Sequence, residues 1–335
     1  MKLLSTDTRV KAQHDAVRST AGWYRFTHQL VEVKGKDAAN LLDYIYTSSI
    51  GKMDVGRAKY TSMLNKEGIF QDDVIIFRID TDTFWISTLH KPRTLTALEA
   101  NVGSKDVEFH SITEDWEMFS VQGPKSKDLV NAVLATSIDD LKYFSIADNK
   151  IGDTLVKIAR SGYTGEEWGY EIYVSIDQKE CVVEALEAKA VDFGAMQIDE
   201  VDVMAYTLPT EKGYVLITDI FRCNPFEVGM DGNIDWSKEF IGKQALEAVK
   251  DMPVSRSLIG LTVADKDAKV HGGPKGAPIY KDGEYVGMVT KFTYGFTVDS
   301  NIGFALIENA KAKIGDKVIL NHDVEAVLTE RPILK

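Results

Sequence analysis

Cysteine is almost absent from the chain: its 335 residues hold two, Cys181 and Cys223. They lie too far apart in sequence for a disulfide framework and offer no metal-ligand spacing, so a reducing, cytoplasmic setting and no metal are expected. Positive charge is the second shortage. With 39 Lys and Arg against 51 Asp and Glu, the net charge is -12. That argues against nucleic acid or an anionic membrane as partner, although a local basic pocket still suits a small anion. Long apolar runs are the third. The opening from Met1 to Arg9 has no apolar core of signal-peptide length, and no run of about 18 apolar residues follows, so neither export nor a membrane span is expected. Fixed-period repeats and low-complexity segments are missing too. What is present is 44% apolar and 10% aromatic residues, enough to fill the cores of about two domains at ~150 residues each.

The stretch around which the rest is organised is Leu64-Asn65-Lys66-Glu67-Gly68-Ile69-Phe70-Gln71-Asp72-Asp73-Val74-Ile75-Ile76-Phe77. It reads as a polar turn that delivers two acids to the start of an apolar strand. Side chains alternate faces along a strand, so Asp72 and Asp73 are expected to point opposite ways. One faces a cavity and is the candidate catalytic group; the other is solvated or caps a neighbouring turn. Two exposed turn acids are the plainer alternative.

The flanking sequence alternates strand and helix signals. After a polar helical opening, a break at Gly22 precedes extended aromatic chain, then a strand over 29–33 and a helix opening at an acidic cap, Asp37. Strands are expected over 60–64, 83–88 and 116–121, the last ending at Gly123-Pro124 before a helix to Leu134. A strand over 170–174 leads to a helix from Gln178 to Phe193 whose buried stripe includes Cys181, Val182, Leu186 and Ala190. Roughly the last 80 residues are β-rich, which predicts a small barrel-like domain. The helix over 243–250 and Asp251-Met252-Pro253 mark a boundary, dividing the chain into 1–250, expected to hold two interleaved subdomains, and 251–335. Between two strands, Gly162-Tyr163-Thr164-Gly165-Glu166-Glu167-Trp168-Gly169-Tyr170-Glu171-Ile172 forms a glycine-rich hairpin. Its glycines either turn the chain or let backbone approach a flat ligand.

Taken in order, Trp23 to Asp37, Lys59 to Phe77, Arg160 to Val174 and Ser237 to Leu246 resemble successive motifs of the glycine-cleavage T-protein (aminomethyltransferase) superfamily, which includes tetrahydrofolate-dependent demethylases. The resemblance covers nearly the whole chain. It implies an α+β, multi-domain cloverleaf around a central folate cavity, closed by a β-barrel-like C-terminal domain. It also implies an enzyme that uses tetrahydrofolate as methyl acceptor. By the same resemblance Asp73 takes the place of the catalytic carboxylate and Asp72 that of its structural partner. Glu171 falls on the pterin-binding glutamate, and an acceptor-only carboxylate does match the two parallel N–H donors of a pterin edge. Tyr60, Trp85 and Ser87 align with positions lining the folate site, and Tyr163 with its wall. Thr27-His28 follows a Ser-His pattern, making His28 a donor-pocket candidate or a structural histidine. Apart from the resemblance, Arg222, Lys275 and Lys291 are candidates for holding folate's glutamate carboxylates, because each sits in a turn-rich stretch of an otherwise acidic chain, with solvated surface as the alternative. Cys223 has no visible activating partner.

Departures from the pattern shape the functional expectation. Where the T-protein has Arg-Asp-Ser-Leu-Arg-Leu-Glu, this chain reads Ala205-Tyr206-Thr207-Leu208-Pro209-Thr210-Glu211, without either arginine. One residue is inserted between Glu166 and Glu171, and Ile69 replaces a glycine. These changes favour a demethylase-like member that moves a methyl group from a small O-, N- or S-methylated donor to tetrahydrofolate. The first alternative is a T-protein proper, which takes an aminomethyl group from a lipoylated carrier protein. The second is a non-catalytic folate-binding maintenance protein. Its Lys-Gly-Cys-Tyr-x-Gly signature is replaced here by Lys238-Glu239-Phe240-Ile241-Gly242-Lys243, which lacks the cysteine.

Overall fold

The computed structural model describes residues 3–26 and 29–334. Two sheets and a barrel organise the chain. The first sheet is antiparallel, in the order Ala58–Leu64, Phe70–Asp80, Thr83–Thr88, Gln29–Lys34 and Glu108–Ser111. The second runs Met196–Gln197, Gly22–Phe26, Trp116–Gln122, Gly169–Ser175, Thr154–Ala159 and Ile146–Ile151. Only its Met196–Gln197 edge pairs in parallel. The chain begins the second sheet at Gly22–Phe26, leaves to build the whole first sheet, and returns at Trp116. Arg256–Val263, Ser300–Glu308, Glu284–Gly295, Pro278–Lys281, Lys317–Leu320 and Val324–Thr329 close an antiparallel barrel.

Strand alternation gives each sheet two apolar faces, and each face finds a different cover. Val31, Val33, Val74, Ile76, Phe84 and Ile86 of the first sheet pack under helix Ala38–Ile45, with Leu98 of helix Lys91–Val102. Trp23, Phe119, Val121, Ile158, Ile172 and Val174 of the second pack under helices Ser126–Val133 and Lys179–Phe193. The opposite faces meet each other: Leu30, Phe77 and Trp85 of the first sheet pack on Met118, Ala159 and Tyr173 of the second. Burial of each such side chain stabilises by about 1.5–3 kcal/mol, so this seam fixes how the sheets are stacked. The short helix Ile217–Ile220 lies between strand Phe70–Asp80 and barrel strand Glu284–Gly295. Around it Leu64, Phe70, Phe240, Leu258 and Phe304 join the barrel to the first sheet.

One local expectation fails, and of the two roles open to the hairpin glycines the structural one fits their surroundings. Asp37 does not cap its helix, because its Oδ2 accepts from the backbone N–H of Asp106 instead, at 2.9 Å. The hairpin glycines do not lie open to a flat ligand: a Cβ at Gly162 or Gly169 would stand 2.2 or 2.3 Å from the buried amide of Gln122. That amide donates to Ser120 and to the carbonyl of Ser161 and accepts from Thr164. Cys181 is half-buried at the margin of its helix's stripe, which Val182, Leu186 and Ala190 form. Among the described residues no helix is long and apolar enough to cross a membrane.

Candidate active site

Strand Phe70–Asp80 presents its two acids to opposite faces of the first sheet. Asp72 turns to the outer side and is held there: Thr88 Oγ1 donates to its Oδ2 at 2.5 Å, and the Asp73 N–H to its Oδ1 at 3.1 Å. His90 Nδ1 stands 3.6 Å from the same Oδ1. Burial pushes Asp72 up to about 6, against those two hydrogen bonds. Asp73 shares its face with Ile75 and Phe77, toward the second sheet, and its Oδ2 accepts from the Tyr60 hydroxyl at 2.8 Å. Burial is again the largest influence on it. The Tyr60 bond opposes burial, while the charges of Asp72 and Asp219 add to it, and Asp73 is raised to about 7. A carboxyl poised there exchanges a proton near neutral pH, which suits either accepting one or stabilising a developing cation.

Glu171 lies on the facing side of the second sheet, in strand Gly169–Ser175. Its Oε2 accepts from Ser161 at 2.8 Å and from the Tyr173 hydroxyl at 2.9 Å. Both bonds land on one oxygen, leaving Oε1 without a hydrogen bond among the described residues. Burial raises the glutamate above its ordinary range, against those two donors. A buried carboxylate with a free oxygen fits a ligand edge that offers N–H donors, as a pterin does.

Tyrosines join the two acids. Tyr24 stands opposite Ser120 on the neighbouring strand and lies close enough to Glu171 and Tyr163 to feel both. Tyr163 in turn feels Asp73 and Asp219. Asp73 and Glu171 thus stand on the sheet faces that turn toward each other, with Tyr163 within electrostatic reach of Asp73 and of Tyr24. Ser87 is half-buried beside the Tyr173 hydroxyl. On the barrel side, Asp219 accepts from the Leu216 N–H at 2.7 Å and stands 2.8 Å from Lys291 Nζ. The charge of Arg331 acts on Tyr60 and Asp219.

Trp85 and Arg222 make other contacts. Trp85 is 3% exposed, set edge-on against Trp116 and Tyr173 in the seam between the sheets, with its indole N–H donated to Glu32. It thus packs beside the Tyr173 whose hydroxyl holds Glu171. Arg222 is exposed, its guanidinium over the Phe221 ring, and none of its contacts reaches Asp73 or Glu171. His28 lies outside the described residues. Lys275 is exposed, and the buried Cys223 thiol, pushed up to about 12 by burial, is no nucleophile. Sequence reading missed Tyr24, Tyr173, Asp219 and Arg331. Tyr173 was findable as the same-face neighbour two residues beyond Glu171; Asp219 and Arg331 carry no local signal.

Glu211 ends the segment that lacks arginines, and it is fully buried. Burial alone would raise it, yet His14, Arg18 and Thr297 hold it below its ordinary range. Arg18 Nη2 and Nε donate to its Oε2 at 2.9 and 3.3 Å, and Arg18 also pairs with Glu166 of the hairpin. The Thr297 N–H and hydroxyl each donate to Glu211 at 2.8 Å, so first helix, hairpin and barrel are tied at one carboxylate.

Comparison with known proteins adds three findings. Residues 4–238 match the GCVT N-terminal domain and residues 256–335 the glycine cleavage T-protein C-terminal barrel domain. A protein of Listeria monocytogenes serotype 4b (strain CLIP80459) named aminomethyltransferase is 29% identical over 338 residues, covering 97% of this chain and 90% of its own length. A probable aminomethyltransferase of Thermococcus gammatolerans is 30% identical, covering 91% of this chain and 84% of its own length. The crystal structure of the glycine cleavage system aminomethyltransferase T from Bartonella henselae superposes with a TM-score of 0.84 at 20% identity, over 97% of this chain and 89% of that one.

Proposed function

The chain belongs to the glycine-cleavage T-protein family, and from that premise we propose that it transfers a one-carbon group to tetrahydrofolate held between its two sheets. The observation that carries the reading is the pairing of Glu171, buried with one oxygen free, and Asp73, raised to about 7, on facing sides of the seam. Glu171 binds the pterin edge and sets its orientation. Tyr163 walls the ring, and Ser87 steadies the Tyr173 hydroxyl that holds Glu171. Bound tetrahydrofolate supplies the nucleophilic nitrogen. Asp73, positioned by Tyr60, holds or accepts a proton beside that nitrogen and balances cationic character as it develops. Packing of the two sheets keeps both carboxyls in fixed register and limits water between them.

The relatives' names weigh toward an aminomethyl group as cargo, delivered on a lipoylated carrier, and this is the first reading of the donor. The small methylated donor expected from the sequence is kept as a second reading on one observation: Ala205 and Pro209 stand where the T-protein has arginines. Incubation with tetrahydrofolate and either an aminomethylated lipoyl carrier or a panel of O-, N- and S-methylated donors separates them. Mass spectrometry should find methylene-tetrahydrofolate in the first case and methyl-tetrahydrofolate in the second. A chain that binds no tetrahydrofolate, or yields neither product, refutes the proposal.

A further inference from the structure

Two cations share one aromatic ring at the barrel side of the site. Lys291 Nζ lies 5.3 Å, and the Arg331 guanidinium carbon 5.8 Å, from the centroid of Phe304. Lys291 is 3% exposed, and although its Nζ is in ion-pair contact with Asp219 it makes no aligned hydrogen bond. An ammonium carries three N–H donors, of which Asp219 can take one, and leaving the others unmet in a buried place is costly. Arg331 donates one N–H to the Val228 carbonyl, and its charge reaches Asp219 and Tyr60. The carboxylates that act on Lys291 are Asp219 and Asp73. Asp219 balances one of the two cations, and Asp73, whose partner is the Tyr60 hydroxyl, offsets the other only in part. The excess is positive, buried at Lys291, half-buried at Arg331, and within electrostatic reach of Asp73.

We infer that Lys291 and Arg331 form a carboxylate-binding site beside Asp73. Charge-assisted hydrogen bonds from an ammonium and a guanidinium to one anion answer both the unmet donors and the excess charge. Two carboxylates meet that description: one carried by a small one-carbon donor, and the glutamate carboxylate of the folate itself. The inference rests on the proposal that tetrahydrofolate binds at Glu171, and its test separates the two sources.

Calorimetric titration of the full chain with four ligands is the experiment. Tetrahydrofolate and 6-methyltetrahydropterin differ in the glutamate; methoxyacetate and methoxyacetamide differ in the charge of a small methylated compound. Two variants are compared with the native chain, Lys291→Met and the double change Lys291→Met with Asp219→Asn, which removes both partners of the ion pair if the single variant, with Asp219 left short of its ammonium, fails to fold. If the site takes the donor, methoxyacetate binds the native chain at least tenfold more tightly than its amide, both variants lose that preference, and tetrahydrofolate affinity is unchanged. If it takes the folate, the variants bind tetrahydrofolate at least tenfold more weakly and 6-methyltetrahydropterin as before. Affinities for all four ligands that are equal in native and variant chains overturn the inference. Failure of the native chain to bind either pterin counts against the proposed function instead, because the methoxyacetate pair still reads the cation site.

Discussion

Replacing Asp73 with Asn removes a carboxyl that the fold holds at an unfavourable ionisation, and the consequence for stability has a definite sign. Burial, opposed by the Tyr60 bond and reinforced by Asp72 and Asp219, raises Asp73 from 3.8 to about 7. Below about pH 4 folded and unfolded chains both carry the protonated acid, and the shift has no effect on stability. As pH rises between the two values the unfolded chain ionises first, so stability is lost progressively until pH 7, beyond which the loss is constant. A shift of about three units corresponds to ~4 kcal/mol at most, and water reaching a half-buried carboxyl brings the expected figure to ~2 kcal/mol. About half of it has accumulated by pH 5.5. Asn keeps the size of Asp and an oxygen for the Tyr60 hydroxyl. The variant should therefore unfold at a higher temperature than the native chain at pH 8, with a smaller gap at pH 5.5, while transfer falls by ~10²–10⁴. Thermal unfolding followed by circular dichroism at the two pH values measures the gap. A variant no more stable than the native chain, or a gap that does not widen with pH, refutes the assignment of Asp73 as a strained acid.

Glu171→Gln keeps the shape but exchanges a charged acceptor for an amide, and should weaken tetrahydrofolate by ~1.5–3 kcal/mol in a titration; unchanged affinity would put the pterin elsewhere. Tyr60→Phe deletes the hydrogen bond that draws Asp73 down, so the acidic limb of the pH–rate profile should move to higher pH by about one unit, whereas an unmoved limb would show that Asp73 does not set it. Arg18→Met leaves the buried carboxylate of Glu211 short of its guanidinium, and unfolding should require ~3–5 kcal/mol less; a loss under ~1 kcal/mol would mean that Thr297 and His14 suffice. Gly162→Ala drives a methyl group against the Gln122 amide, and a measured destabilisation should appear even though no ligand contact is touched.

Legibility in the sequence followed the range of the physics involved. Alternation along Phe70–Asp80 is a one-strand property, and it placed Asp72 and Asp73 on opposite faces as expected. The β-rich C-terminal stretch and the long helix ending at Phe193 were likewise periodic signals. The T-protein-like α+β architecture came from resemblance, since no local pattern says that two sheets stack face to face. What failed depended on partners distant in the chain. Asp37 was lost as a cap to Asp106, and the choice between the two roles open to the hairpin glycines turns on the distant Gln122. An aromatic at position 85 reads the same whether it lines a cavity or fills a seam, and its packing against Trp116 and Tyr173 comes from distant parts of the chain. Lys291 was a carboxylate-holding candidate with solvated surface as the alternative, and barrel closure buries it against Asp219, 72 positions earlier. The donor was weighed from two missing arginines, whereas family relatives weigh toward the aminomethyl alternative.

A crystal structure of the chain with tetrahydrofolate tests most directly whether Asp73 and Glu171 serve one site. The pterin edge should hydrogen-bond the free oxygen of Glu171, with the ring against Tyr163 and its reactive nitrogen toward Asp73. A pterin bound outside the seam between the two sheets, or touching one of these acids while the other opens elsewhere, would contradict it.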